Sequence, residues 1–164
     1  MSQRTLIDSD AFCREGGVLH GEVPVATLTR LFDLLADPAG SLVYRLAGGA
    51  ASRGRGLLVV EVQGVLALCC QRCLEAIEYP LRLRSLIEFV EDEDDLTQEQ
   101  LEDDSRDFLP HQKALDVESL IEDEILLALP VAPRHDDCHL PVGGGESERV
   151  SPFSVLAGMA ARRN

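Results

Sequence analysis

Four side chains in this chain have the types and spacing for metal or thiol chemistry. Cys70-Gln71-Arg72-Cys73 is a C-x-x-C pair, and His135-Asp136-Asp137-Cys138 supplies a second pair of ligand type further on. His139 follows directly and competes with His135 for a role. Two thiols three positions apart at a tight turn can share one ion, because the turn's N–H groups can hydrogen-bond the thiolates. Zn²⁺ takes four soft or borderline ligands in a tetrahedron. Cys70, Cys73, His135 and Cys138 would make a closed Cys₃His site, which is structural because no position remains for a substrate. Two other readings stay open. The pair could be a redox dithiol, or the thiols could simply be reduced and partly buried. A thioredoxin-type C-x-x-C opens a helix, whose N-terminus lowers the thiol pKa. Here the residues after Cys73 alternate like a strand and Pro80 interrupts any helix, so the spacing disfavours redox chemistry.

The surrounding sequence must hold these ligands in place. Val18–Val23 has strand character. After Pro24, the spacing of Leu28, Leu31, Phe32 and Leu35 predicts an N-terminal helix, ended by Asp37-Pro38-Ala39-Gly40. Ser41–Ala47 predicts a strand, residues 48–54 a turn, and Arg55–Leu68 one or two buried strands. Ile77, Tyr79, Leu81 and Leu83 alternate with Glu78, Arg82 and Arg84, a period of two that marks a strand with one wet face. The C-x-x-C pair therefore falls at a strand–strand turn. Asp116 is a good N-cap for a C-terminal helix whose stripe is Val117, Leu120, Ile121, Ile125 and Ala128, stopped by Pro130 and Pro133. Its acids, Glu118, Glu122, Asp123 and Glu124, read as the wet face or as a dock for a basic partner. Cys69 and Cys13 are expected in the core. The expected class is α+β: an antiparallel sheet with a long C-terminal helix. Residues 1–140 are expected to form a single domain, and residues 141–164 a flexible tail with a short apolar anchor at Pro152–Leu156.

Charge is concentrated. The 164-residue chain has a net charge of −14, yet residues 91–107 alone hold ten acids against Arg106, a net of −9. Self-repulsion and low hydrophobicity predict a mobile acidic loop there, with room for a short helix around Leu96–Leu101. A partner drawn to it should be basic, and bare phosphate would be repelled. Arg82 and Arg84 share a strand face, with Arg72 nearby, and could touch RNA phosphate. They could equally be the wet face of an edge strand. Aromatics are 4% of residues with no Trp, which argues against a stacking platform for bases. The Gly48–Gly56 loop lacks the pattern of a phosphate cradle, and neither G-x-S-x-G nor H-E-x-x-H occurs. No signal peptide, membrane span or enzyme motif is visible, so a cytoplasmic, reducing location and a non-enzymatic role without a small-molecule substrate are expected.

Three motifs together resemble the bacterial YceD family, the large ribosomal RNA subunit accumulation proteins. They are Cys70 to Leu74 (CQRCL), Leu120 to His135 (LIEDEILLALPVAPRH) and Pro152 to Leu156 (PFSVL), in the family's order over roughly residues 55–157. Family members often show His, a short acidic spacer and then Cys, as in His135 to Cys138. Here His139 follows that Cys where some relatives carry a His before it, and Ser151 stands where Asn is usual. The resemblance implies a cytoplasmic accessory factor needed for accumulation or processing of large-subunit (23S) ribosomal RNA. It implies no catalytic residues. The expected partners are ribosomal RNA or basic large-subunit ribosomal proteins. The rival classes are a zinc-stabilised interaction module unrelated to ribosomes and, less favoured by the spacing, a C-x-x-C thiol oxidoreductase.

Overall fold

A computed structural model describes residues 5–51, 54–91, 96–102 and 105–138. His139, the tail over 141–164 and its Pro152–Leu156 anchor lie outside the described residues. The elements in order are β1 (Leu6–Ile7), α1 (Ser9–Arg14), β2 (Val18–Pro24), two 3₁₀ turns (Val25–Thr27 and Thr29–Leu31), β3 (Leu35–Asp37), β4 (Ser41–Ala50), β5 (Gly56–Cys69), β6 (Ala76–Val90), α2 (Gln98–Leu101), β7 (Asp107–Pro110), β8 (Leu115–Asp116) and α3 (Val117–Ala128). The fold is α+β, mostly strand.

One sheet dominates, with strands in the order β2-β4-β5-β6-β7 and β3 beside the far end of β5. All its pairings are antiparallel except β6–β7, which is parallel. Its spine is the β5–β6 hairpin, in register from Leu57↔Glu88 to Cys69↔Ala76. The sequence alternation explains this hairpin. Leu58, Val60, Val62, Leu66 and Leu68 turn to the core, while Gln63 and Val65 stay exposed on the opposite face. A one-residue slip would put the leucines in water, so the register is strongly specified.

Helix α3 packs on the core side of β6. The Asp116 carboxylate caps it, accepting from the N–H groups of Glu118 (3.1 Å) and Ser119 (3.3 Å). Val117, Leu120, Ile121 and Ile125 are buried, and together contribute about 6–12 kcal/mol of apolar burial as an upper bound. Leu129 turns extended (ψ 143°) before Pro130, so the chain leaves the helix toward the hairpin turn.

The structure differs from the sequence reading in four places. Residues 24–35 form no α-helix but two 3₁₀ turns and then β3. The Thr27 hydroxyl donates to Pro24 O (2.9 Å), and Leu28 leaves helical space at ψ 76°. Leu28 and Leu31 are nonetheless fully buried, which is why their spacing imitated a helical stripe. The N-terminal helix is instead α1, capped by Asp8 accepting from Ala11 N–H (3.0 Å). Cys69 is half-buried rather than core, while Cys13 is core. On α3, Glu122 (8% exposed) and Glu124 (5%) are not wet, whereas Ala128 is exposed. Glu122 accepts from Arg30 N–H (2.6 Å) and Arg30 Nε (2.9 Å), which pins the 3₁₀ segment to α3.

Within the acidic segment the structure places α2, with a capping box between Thr97 and Gln100, and the first residue of β7. Arg106 there reaches the buried Glu88 (3.0 Å), which also takes Arg55 (3.2 Å).

Candidate metal centre and the adjoining groove

The turn between β5 and β6 brings Cys70 and Cys73 to one end of the sheet. Cys70 N–H donates to Glu75 O (2.9 Å) and Leu74 N–H to Cys70 O (3.0 Å), closing a tight loop. Leu74 takes a left-handed conformation (φ 65°), the strained position that lets the chain reverse there. The segment after α3 comes back against this turn, held by Gln71 N–H donating to Pro133 O (2.9 Å). The same approach delivers His135 and Cys138.

Cys70, Cys73, His135 and Cys138 converge, with one ligand atom from each lying within 4.8 Å of all the others. Cys70 Sγ lies 3.7 Å from Cys138 Sγ, and Cys73 Sγ lies 3.4 Å from His135 Nδ1. A tetrahedral zinc with Zn–S of about 2.3 Å and Zn–N of about 2.0 Å has S–S edges of about 3.8 Å and S–N edges of about 3.5 Å. The two observed separations match those edges. All five cysteines are unpaired, so the 3.7 Å contact is not a disulfide.

The histidine is oriented for ligation. Its Nε2 sits 3.0 Å from Ala76 O, and a carbonyl only accepts. The ring proton is therefore on Nε2, and the Nδ1 lone pair faces the thiols. Metal-bound histidines characteristically have such a partner on the other ring nitrogen. That hydrogen bond and the thiolate of Cys70 also raise the His135 pKa, the latter more.

The thiols are tuned unequally. Burial of Cys70, which is fully enclosed, opposes its ionisation. Backbone N–H groups of Cys73, His135 and Arg72 together outweigh burial and lower the pKa to about 5. Those of Arg72 and Cys73 stand 3.4 and 3.5 Å from the sulfur. For Cys73, a hydrogen bond from Glu75 N–H lowers the pKa, but burial and the neighbouring Cys70 and Cys138 raise it on balance. Two neighbouring thiols resist ionising together, so the charge is favoured on the one that more backbone N–H groups face. Cys69 stays out of the cage, its Sγ donating instead to Leu74 O (3.7 Å).

A groove of about 520 Å³ opens beside the cage, with Arg72, Tyr79, Pro133, Arg134 and Asp136 in its walls. Of the three arginines picked out in the sequence, Arg72 alone lines it. Arg84 lies on the open sheet face, paired across strands with Glu61 (3.5 Å), which also takes Arg45 (3.1 Å). Arg82 is exposed opposite Gln63 on that face. The sequence reading missed Arg134 and Tyr79. The signal for Arg134 was present, since it adjoins His135 as Arg72 adjoins Cys73.

A family model described as "Large ribosomal RNA subunit accumulation protein YceD" matches residues 58–159, from β5 through α3 and beyond. The chain belongs to the YceD family. The matched region contains all four clustered ligands and both groove arginines, while α1 to β4 lie before it. The family's description concerns accumulation of the large ribosomal RNA subunit and names no enzymatic activity. No solved structure matches the chain. Among the described residues, no helix is long and apolar enough to cross a membrane.

Proposed function

We propose that this chain is a cytoplasmic, non-enzymatic accessory factor of ribosome biogenesis. In this reading it supports accumulation or processing of 23S ribosomal RNA by binding that RNA or basic large-subunit proteins, without a membrane or small-molecule substrate. The observation that carries the reading is the Cys₃His cluster inside the family-matched region. Four such ligands would fill the positions of a tetrahedral ion and leave none open, so the chemistry this reading assigns is holding, not turnover. Cys70, Cys73 and Cys138 would hold the zinc through sulfur and His135 through Nδ1. When bound, the ion supplies a rigid cross-link between the hairpin turn and the α3 exit.

The acidic segment is a candidate arm for a basic protein partner, given its net charge of −9. Deleting it would also remove Arg106 from Glu88, so the better perturbation neutralises Asp92, Glu93, Asp94 and Asp95 to Asn or Gln. Crosslinking of tagged protein in cells, reading RNA and protein together, tests the proposal. Enrichment of large-subunit RNA or proteins is expected, and enrichment of neither would reject it in favour of an interaction module unrelated to ribosomes. Unchanged protein partners in the neutralised variant would remove the acidic arm.

The low pKa of Cys70 is the one observation favouring a thiol oxidoreductase. Its complete burial opposes that reading, because a mixed disulfide needs an accessible sulfur.

A further inference from the structure

The groove beside the cage carries an excess of cationic groups. Two guanidiniums, Arg72 and Arg134, and one carboxylate, Asp136, are the fully charged groups in its walls, a local excess of cation in a molecule of net charge −14. Both arginines are exposed, and among the described residues neither makes an ion pair, whereas Arg30, Arg45, Arg55, Arg84 and Arg106 all do; Arg82 shares that property but lies on the open sheet face, away from the groove and its ring. Tyr79, half-buried and packed on the core, adds one aromatic ring, and Pro130 and Pro133 add a stiff apolar rim. The volume of about 520 Å³ accommodates a nucleotide unit. Unpaired guanidiniums recognise phosphate, and a fixed ring beside them recognises a base by stacking.

The two arginines also sit at matching places in the cage. Arg72 lies between the ligands Cys70 and Cys73, and Arg134 immediately precedes the ligand His135. Whatever fixes the cage fixes the backbone that carries both guanidiniums. We propose that this groove binds a segment of single-stranded RNA, with Arg72 and Arg134 on phosphates and Tyr79 against a base, and that the Cys/His cluster serves to hold the two arginine-bearing loops together. The inference rests on the reading that the partner includes ribosomal RNA, and it assigns the contact to this groove rather than to Arg82 and Arg84. A single ring is involved, not the multi-ring platform that the composition argues against.

The test is fluorescence anisotropy of a labelled single-stranded RNA decamer with the full zinc-loaded chain, over a range of salt. Replacing Arg72 and Arg134 together by Ala should flatten the slope of log affinity against log salt by about 1.4, from about 0.7 per phosphate contact on a single strand. The double Lys variant should keep the slope. Tyr79→Leu should weaken binding roughly five- to 150-fold with the slope unchanged, Tyr79→Phe should bind like the parent, and Arg82→Ala should change neither quantity. Chelation should weaken binding along with the cage. Zinc content and circular dichroism of each variant establish that it folds.

Several results would overturn the proposal. One is unchanged affinity and slope in the Arg pair variant. Another is equal binding of duplex RNA. Competition by inorganic phosphate or by a glutamate decamer as strong as by RNA would mark a phosphate or an acidic-peptide site instead. Loss of zinc affinity without loss of RNA binding would mean the guanidiniums serve the cage. A decamer that does not bind while cellular crosslinking still enriches ribosomal RNA would reject the groove and leave the ribosomal reading standing; failure of both would reject both.

Discussion

Replacing Glu88 by Ala should be among the more destabilising single changes away from the cage. Glu88 is 3% exposed and holds two guanidinium groups, Arg55 at 3.2 Å and Arg106 at 3.0 Å. At an effective dielectric near 20, each contact is worth about 5 kcal/mol of gross attraction, most of which offsets the desolvation of the three charges. Truncating one partner of such a site leaves the other charges buried without compensation, which typically costs about 3–5 kcal/mol. The side chains of Arg55 and Arg106 remain 22% and 34% exposed and can recruit water. That places the expected loss at the lower end, about 3 kcal/mol, or roughly 1–2 M in the urea midpoint. Glu88→Gln keeps an acceptor and should lose less, about 1–2 kcal/mol. Urea unfolding followed by circular dichroism measures both. A double-mutant cycle with Arg106→Ala should return a coupling above about 0.5 kcal/mol, because Arg106 ties β7 and the acidic segment to the sheet through this carboxylate. A loss below about 1 kcal/mol for Glu88→Ala, or strict additivity in the cycle, would refute the reasoning.

Gly48→Ala should cost roughly 1–3 kcal/mol, since the new Cβ would stand 2.5 Å from Phe12 O and 2.9 Å from Cys13 Cα, backbone that yields only if α1 lifts off β4; an unchanged melting temperature would contradict this. Burial is the main force raising the pKa of Glu124, with nearby Asp107 and Asp123 adding to it against a hydrogen bond from Ser85. A raised carboxyl contributes stability that is full below its unfolded pKa and fades as pH rises through the folded one. Glu124→Gln should therefore raise the melting temperature at pH 7 and lose that advantage below about pH 4, near the ordinary Glu range. In metal-free protein the depressed Cys70 pKa works the other way. Its contribution is complete above the ordinary thiol value near 9 and drains as pH falls toward about 5, so in the metal-free chain this group should cost stability over that window, and Cys70→Ser should reduce the dependence in a melting series across pH.

The sequence disclosed most where one physical constraint acted alone. The period of two over Ile77–Arg84 marked β6 because one face of that strand is wet, and Asp116 marked α3 because a cap leaves a local signature. The four candidate ligands could be picked out by residue type and spacing, and the fold brings them together. The errors came where tertiary contacts overrode local pattern. Leu28 and Leu31 have helical spacing, but Leu28 is buried from the junction of two 3₁₀ turns and Leu31 from the end of the second. Glu122 looks solvated until Arg30, 92 positions away in sequence, is seen to reach it. The groove of Arg72, Tyr79 and Arg134 joins the turn, a strand and the α3 exit, and no periodicity reports such a meeting.

The most direct test of the central claim is the metal content of the purified full chain by mass spectrometry, paired with melting before and after chelation. The account predicts one zinc per chain, protection of Cys70, Cys73 and Cys138 from thiol reagents while it is bound, and a marked drop in melting temperature on its removal. A chain that takes up no zinc, and whose melting and thiol reactivity ignore the chelator, would contradict it.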